Sequence, residues 1–246
     1  MLAPPPAPPS PAAARWRQLP LPFAHTPHLT AADFLPAPSN AAALAWLDTP
    51  ERWPQRRLAL WGAEGCGKTH LLHVWAARSG AVLLAGPTLP RLPPVPGRPL
   101  AIDDADAAAE RPLLHLLNAA AEGGQAVLLA GRAPPARWPV VLPDLASRLR
   151  ATAAAGIGAA EDSLLRALLA RLLAERQVAV AAPVQDWLLT RLPRTPAALR
   201  EAAARLDRAA LASGRAVTRP VAATVLADLT DAPEPPQAAE GGPALL

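Results

Sequence analysis

The chain has 246 residues, enough for one sizeable domain or two small ones, and 32 of them are proline. A single cysteine excludes an intramolecular disulfide framework, and no apolar run approaches the ~18 residues of a membrane span. The formal charge of +4 comes from arginines scattered along the chain, so the basic balance describes a solvated surface better than a nucleic-acid interface.

Both ends are rich in proline and alanine and offer little to bury against the cost of ordering a backbone, so 1–30 and 231–246 are expected to be disordered. The N-terminus lacks the basic stretch and apolar core of a signal peptide, and a soluble, cytoplasmic protein is expected. Inside the N-terminal arm stands "RQLPLPF", Arg17 to Phe23. Gln18 offers an amide for hydrogen bonding, Leu19, Leu21 and Phe23 are apolar, and Pro20 and Pro22 hold the backbone extended. Such a peptide loses little conformational freedom on entering a groove.

The ordered part opens with "DFLPAPSNAAALAWL", Asp33 to Leu47, and then "RRLALW", an apolar run of strand length ending at Trp61. "GAEGCGKTH" follows, holding the only lysine among the 24 basic residues. After it, Leu71, Val74 and Trp75 fall at helical spacing, with Gly80 as a stop. Strand, glycine-rich turn and helix are the setting in which Gly62-x-x-x-x-Gly67-Lys68-Thr69 predicts a phosphate-binding loop. Gly62, Gly65 and Gly67 let successive backbone N–H groups turn inward around a phosphate at the positive end of a helix. Lys68 is a compact ammonium that reaches β- and γ-phosphates, which a planar guanidinium does less well. The Thr69 hydroxyl suits Mg²⁺, so ADP or ATP with Mg²⁺ is the expected ligand. Cys66 and His70 flank these residues within the nucleotide-binding stretch. Cys66 is read as a small filler of the loop, and His70 with His73 as packing residues that lack a third metal ligand.

"AVLLAG", Ala81 to Gly86, and "RPLAIDDADA", Arg98 to Ala107, predict two more strands. The second ends in Asp103 and Asp104. Asp103 is placed to hold Mg²⁺ through its water shell, and Asp104 to orient a water for attack on the γ-phosphate. "QAVLLAG", Gln125 to Gly131, is a further buried strand. Strands alternating with helical stretches predict an α/β core whose parallel sheet is covered on both faces. Beyond about residue 160 only helical patterns remain, beginning with "EDSLLRALLARLLAERQ", where Leu164, Leu168 and Leu172 join Leu165, Leu169 and Leu173 on one broad face. The expected layout is an arm over 1–30, an α/β nucleotide-binding core over 31–157, a small all-helical lid over 158–230 and a tail over 231–246.

That order resembles the AAA+ ATPases, and in detail their DnaA branch, over about Ala31 to Leu229. "PDLASRL", Pro143 to Leu149, resembles the stretch carrying the arginine finger, with Arg148 on the finger position. Ser39 and Asn40 match the entry segment that lies beside the adenine, and "GRAVTRPVAATVL" resembles the last stretch of the lid. The lid arginine that reaches back to the phosphates falls on Arg194, with Ala197 as the neighbouring position. Two features separate the chain from an initiator. After the lid comes only a tail, where an initiator is expected to carry a helix-turn-helix domain. Upstream, Gln18, Leu19, Leu21 and Phe23 resemble the peptide that bacterial proteins dock into the replication sliding clamp, the polymerase β subunit.

The resemblance therefore implies a regulator of replication initiation. It would ride on the DNA-loaded clamp, reach DNA only through it, and press Arg148 in trans into the ATP site of DnaA. Self-association is left open. One departure stands out: Ala130 and Arg132 occupy places where family members carry a Thr or Asp that senses the γ-phosphate, so the chain's own hydrolysis is expected to be weak. The alternative, a self-contained AAA+ ATPase or helicase-loader-type motor, would need robust turnover.

Overall fold

The computed structural model describes residues 29–93 and 97–230. Arg57–Trp61 forms β1, and four of its five residues are buried, as in a strand covered on both faces. Val82–Ala85 (β2), Leu100–Asp103 (β3), Val127–Gly131 (β4) and Ala153–Gly156 (β5) complete a sheet of order β2-β3-β4-β1-β5. Every pairing is parallel, with Leu58 opposite Leu128 on one side and Ala153 on the other. The edge strand β2 alternates half-buried with exposed side chains. Ala153–Gly156 carries no branched or aromatic residue and was not among the expected strands. Its small residues suit the space left beside Trp61, since a Cβ on Gly156 would stand 2.8 Å from that indole.

Helices cover both faces of this sheet. On one, Leu58, Leu60 and Leu128 pack against Leu71, Leu72 and Trp75 of α2 (Lys68–Ser79) and against α1 (Ala41–Leu47). On the other, Ala59, Val127 and Leu129 meet Leu113, Leu116 and Leu117 of α3 (Glu110–Glu122) and Leu145 and Leu149 of α4 (Pro143–Arg150). Gly80 caps α2 in the left-handed conformation, as its place in the sequence predicts.

From Asp162 onward the chain is helical: α5 (Asp162–Glu175), α6 (Ala182–Leu189), α7 (Pro196–Ser213), α8 (Arg219–Val225) and α9 (Ala227–Thr230). These helices share a third core, in which Leu165, Leu168, Leu169, Leu172 and Leu173 of α5 meet Leu199, Ala202, Ala203 and Leu206 of α7. Leu164 lies at the border of that stripe, half-buried. Thr195 caps α7 by accepting from the Ala198 amide, and Pro196 supplies the first helical residue. Among the described residues no helix is long and apolar enough to cross a membrane.

Candidate functional site

The loop from Gly62 to Gly67 leaves the carboxyl end of β1, where open parallel sheets bind ligands, and runs into the first turn of α2. Two of its glycines are required by geometry. A Cβ on Gly62 would stand 2.5 Å from the Ile157 carbonyl oxygen, and Gly67 caps α2 at φ 109°, in the region that L side chains avoid. The Gly62 amide donates to the Gly131 carbonyl at 3.3 Å, which ties the loop to the end of β4.

Lys68 is the first residue of α2 and is 7% exposed. Its ammonium donates to the Gly62 and Ala63 carbonyls, both at 2.8 Å, so it is folded into the loop's concave side. A phosphate oxygen placed there would compete for the same protons at the N-terminus of a helix. Cys66 is half-buried with a free thiol, 3.8 Å from the Lys68 ammonium. Thr69 is exposed, and its hydroxyl donates to Oδ2 of Asp103 at 2.7 Å. The pair suits Mg²⁺: a hydroxyl and a carboxylate oxygen, leaving the other positions to phosphate and water. Among the described residues no group of three or more His, Cys, Asp or Glu is placed to hold a metal ion unaided.

Asp104 is exposed, in a left-handed turn at φ 46°. Sequence reasoning missed the role of Asp106 two residues on. Its Oδ2 accepts from the Arg132 amide at 2.7 Å, and its carboxyl carbon would lie 3.2 Å from a Cβ on Gly131. A carboxylate thus stands at the end of β4 after all, supplied by a neighbouring turn. The Arg132 side chain instead points to Glu64 of the glycine-rich loop, in an exposed pair at 3.8 Å. Ala130 is fully buried.

The entry segment is anchored beside the loop. Asn40 is 3% exposed and spends its side-chain amide on the Leu35 carbonyl and the Ala37 amide. The Ser39 amide and hydroxyl donate to the Glu161 carboxylate at 2.6 and 2.9 Å, and the Ser39 carbonyl accepts from Gly158. Glu161's own backbone amide, helped by Ser39, holds that carboxyl below its ordinary range. Ser39 and Asn40 therefore sit at the junction from which the lid departs.

The His70 ring is buried and bonds through Nε2 to the Thr30 carbonyl at 2.8 Å, with the Phe34 ring edge-on at 5.2 Å. Burial pushes its pKa down. The ring fastens the entry segment to α2, as its reading as a packing residue predicts.

The lid meets the loop through the start of α7. A Cβ on Gly65 would lie 3.3 Å from the Ala197 methyl and 3.7 Å from Thr195 Cβ. Arg194 is half-exposed and paired with Asp162, so the lid residue against Gly65 is Ala197. Arg200, which sequence reasoning passed over, lies one helical turn beyond Ala197 on the same face. It is half-buried, has no hydrogen-bond or carboxylate partner among the described residues, and burial lowers its pKa. Its charge is near enough to His70 to oppose protonation of that ring. No pattern in the sequence separates Arg200 from Arg194, because the choice depends on which turn of α7 faces the loop.

Arg148 stands in the last turn of α4. Its carbonyl accepts from the Thr152 hydroxyl at 2.8 Å, and its guanidinium has no carboxylate partner among the described residues. Gln18, Leu19, Leu21 and Phe23 lie outside the described residues.

Sequence comparison with curated proteins gives no match. Residues 162–226 match the model of the Hda lid domain. Among solved structures, domain III of the Thermotoga maritima replication initiation protein DnaA superposes with a TM-score of 0.69 at 18% identity, over 84% of this chain and 99% of that one. AMPPCP-bound DnaA from Aquifex aeolicus gives 0.57 at 16% identity, over 72% of this chain and 63% of that one. The Thermotoga maritima RuvB Holliday junction branch migration motor gives 0.56 at 18%, over 78% and 67%. Residues 162–226 thus match an Hda lid domain, and the chain as a whole has the fold of DnaA domain III.

Proposed function

We propose that the protein regulates DNA replication initiation: it binds ADP or ATP with Mg²⁺ at the loop from Gly62 to Thr69, docks on the DNA-loaded sliding clamp, and promotes hydrolysis of the ATP held by DnaA. The observation that carries this reading is the Hda lid match over 162–226, joined to a core with an intact phosphate loop. That AMPPCP is bound by a DnaA of the same fold supports nucleotide binding here.

The roles divide by place. Lys68 and the loop amides hold the phosphates, and Thr69 and Asp103 hold Mg²⁺. When bound, the metal screens phosphate charge. Ser39 and Asn40 border the adenine side, and Asp104 orients water. The unpaired, half-buried Arg200 is a better candidate than Arg194 for the lid group that answers to phosphate, since an anion would relieve a charge that burial disfavours. Arg148 is the finger, acting on the ATP of a partner molecule; such a group typically accelerates phosphoryl transfer by ~10³–10⁵. Gln18, Leu19, Leu21 and Phe23 tether the protein to the clamp.

Clamp docking is tested by binding of the full chain to purified cognate β clamp on primed DNA. A double Gln18→Ala and Phe23→Ala variant should lose binding while keeping its nucleotide affinity. Equal clamp binding by variant and parent would remove the tether from the mechanism.

A further inference from the structure

The foot of β1 holds a charged group that the nucleotide site does not use. Arg57, the first residue of β1, is 2% exposed, and its Nε has no hydrogen-bond partner among the described residues. Its one acceptor is Oε1 of Gln55. Gln55 and Arg56 both have positive φ, 50° and 57°, a conformation that L residues avoid, and this turn lies directly before Arg57.

Arg57 lies on the same face of β1 as Ala59, the face packed by Leu145 and Leu149 of α4, the helix that carries Arg148. The register that sets Leu58 opposite Ala153 brings Thr152 level with Arg57, and the Thr152 hydroxyl donates to the Arg148 carbonyl at 2.8 Å. Burial, and then the Arg148 charge, disfavour the Arg57 cation. Neither guanidinium has a carboxylate partner among the described residues.

Stability does not account for this arrangement. A buried guanidinium with an orphaned N–H and a like-charged neighbour is unfavourable, and replacing such a group by an apolar side chain of similar volume is often neutral or stabilising. A fixed positive charge on the protein side of Arg148 does, however, bias where the Arg148 guanidinium rests. It disfavours conformers folded back on the core and favours those extended outward, which is pre-organisation of the kind that positions reacting groups.

We infer that Arg57 is a positioning residue for Arg148, a buried charge that keeps the Arg148 guanidinium extended toward the triphosphate of a nucleotide held by a partner subunit. The inference rests on Arg148 acting in trans.

The test uses the full chain with cognate DnaA charged with ATP and clamp loaded on DNA. Stimulated hydrolysis is followed against concentration for the parent, Arg57→Met, Arg57→Lys and Arg148→Ala, with Tm and ADP affinity measured on each. Arg57→Met should keep or raise Tm and keep both ADP affinity and the half-saturating concentration. Its maximal stimulated rate should fall roughly ten- to a hundredfold, the order expected of a misplaced catalytic group. Arg57→Lys, which keeps the charge, should recover part of that rate. A full maximal rate in Arg57→Met, alongside loss in Arg148→Ala, overturns the role of Arg57 alone. Unfolding of Arg57→Met, or a rate loss that follows Tm and is not restored by lysine, assigns Arg57 to the fold and also overturns it. Full stimulation by Arg148→Ala removes the finger itself, and the positioning role with it.

Discussion

Thr69 donates its hydroxyl proton to Asp103 across 2.7 Å, and this one bond joins the first turn of α2 to the end of β3. Two residues 34 positions apart in the chain thereby present one hydroxyl and one carboxylate to a common point. Asp103→Asn or Thr69→Val should weaken Mg²⁺-dependent ATP binding by roughly ten- to a hundredfold, the range of a lost hydrogen bond to a charged group. Binding measured in EDTA should change much less. Lys68→Ala should abolish binding under both conditions, and Lys68→Arg should not restore it, because the guanidinium fork does not fit the loop as an ammonium does. Isothermal titration with ADP and ATP checks each variant.

The strand, glycine-rich turn and helix around Lys68 were legible because such a turn needs particular residue types at particular places. Gly62 is forced by the Ile157 carbonyl, Gly67 by its backbone angle, and Lys68 by charge in a composition that otherwise uses arginine. The core strands were legible for a related reason, since strands covered on both faces read as unbroken apolar runs. What failed to show was set by contacts distant in sequence. Ala153–Gly156 has no strand-forming residue type of its own, and Trp61 across the sheet determines that small residues stand there. Asp106 serves the end of β4 from a turn 26 positions away from its partner Arg132.

Arg200 and Arg194 can be told apart by nucleotide affinity. Arg200→Ala should weaken ATP and ADP binding by roughly tenfold or more, as expected for one charge-assisted contact, and leave adenosine binding alone. Arg194→Ala loses an exposed ion pair with Asp162 and should bind all three as the parent does. The reverse order would return the phosphate contact to Arg194.

His70 should make the fold acid-sensitive. Its folded pKa lies below its ordinary value because the ring is buried, so the unfolded chain takes up the proton first as pH falls. The stabilisation from keeping the ring neutral is complete above the unfolded value of about 6.5 and is lost as pH drops from there toward the folded value. Tm measured between pH 8 and pH 5 should therefore fall through the lower part of that range. His70→Gln should flatten the dependence, and an unchanged slope in that variant would place the sensitivity elsewhere.

The chain's own hydrolysis should be slow. Ala130 is buried and cannot sense a phosphate, and Arg132 is directed to Glu64. Turnover of ATP by the isolated protein is expected well below the ~10 s⁻¹ typical of enzymes. A rate comparable with an ordinary AAA+ motor would favour a self-contained ATPase.

The most direct measurement is hydrolysis of ATP bound to purified cognate DnaA, with this protein present or absent, and with clamp loaded on DNA or omitted. Acceleration that requires the clamp, the segment from Gln18 to Phe23 and Arg148 is the expected result. Clamp binding without any acceleration, or acceleration that survives Arg148→Ala, would contradict a finger acting in trans on the initiator.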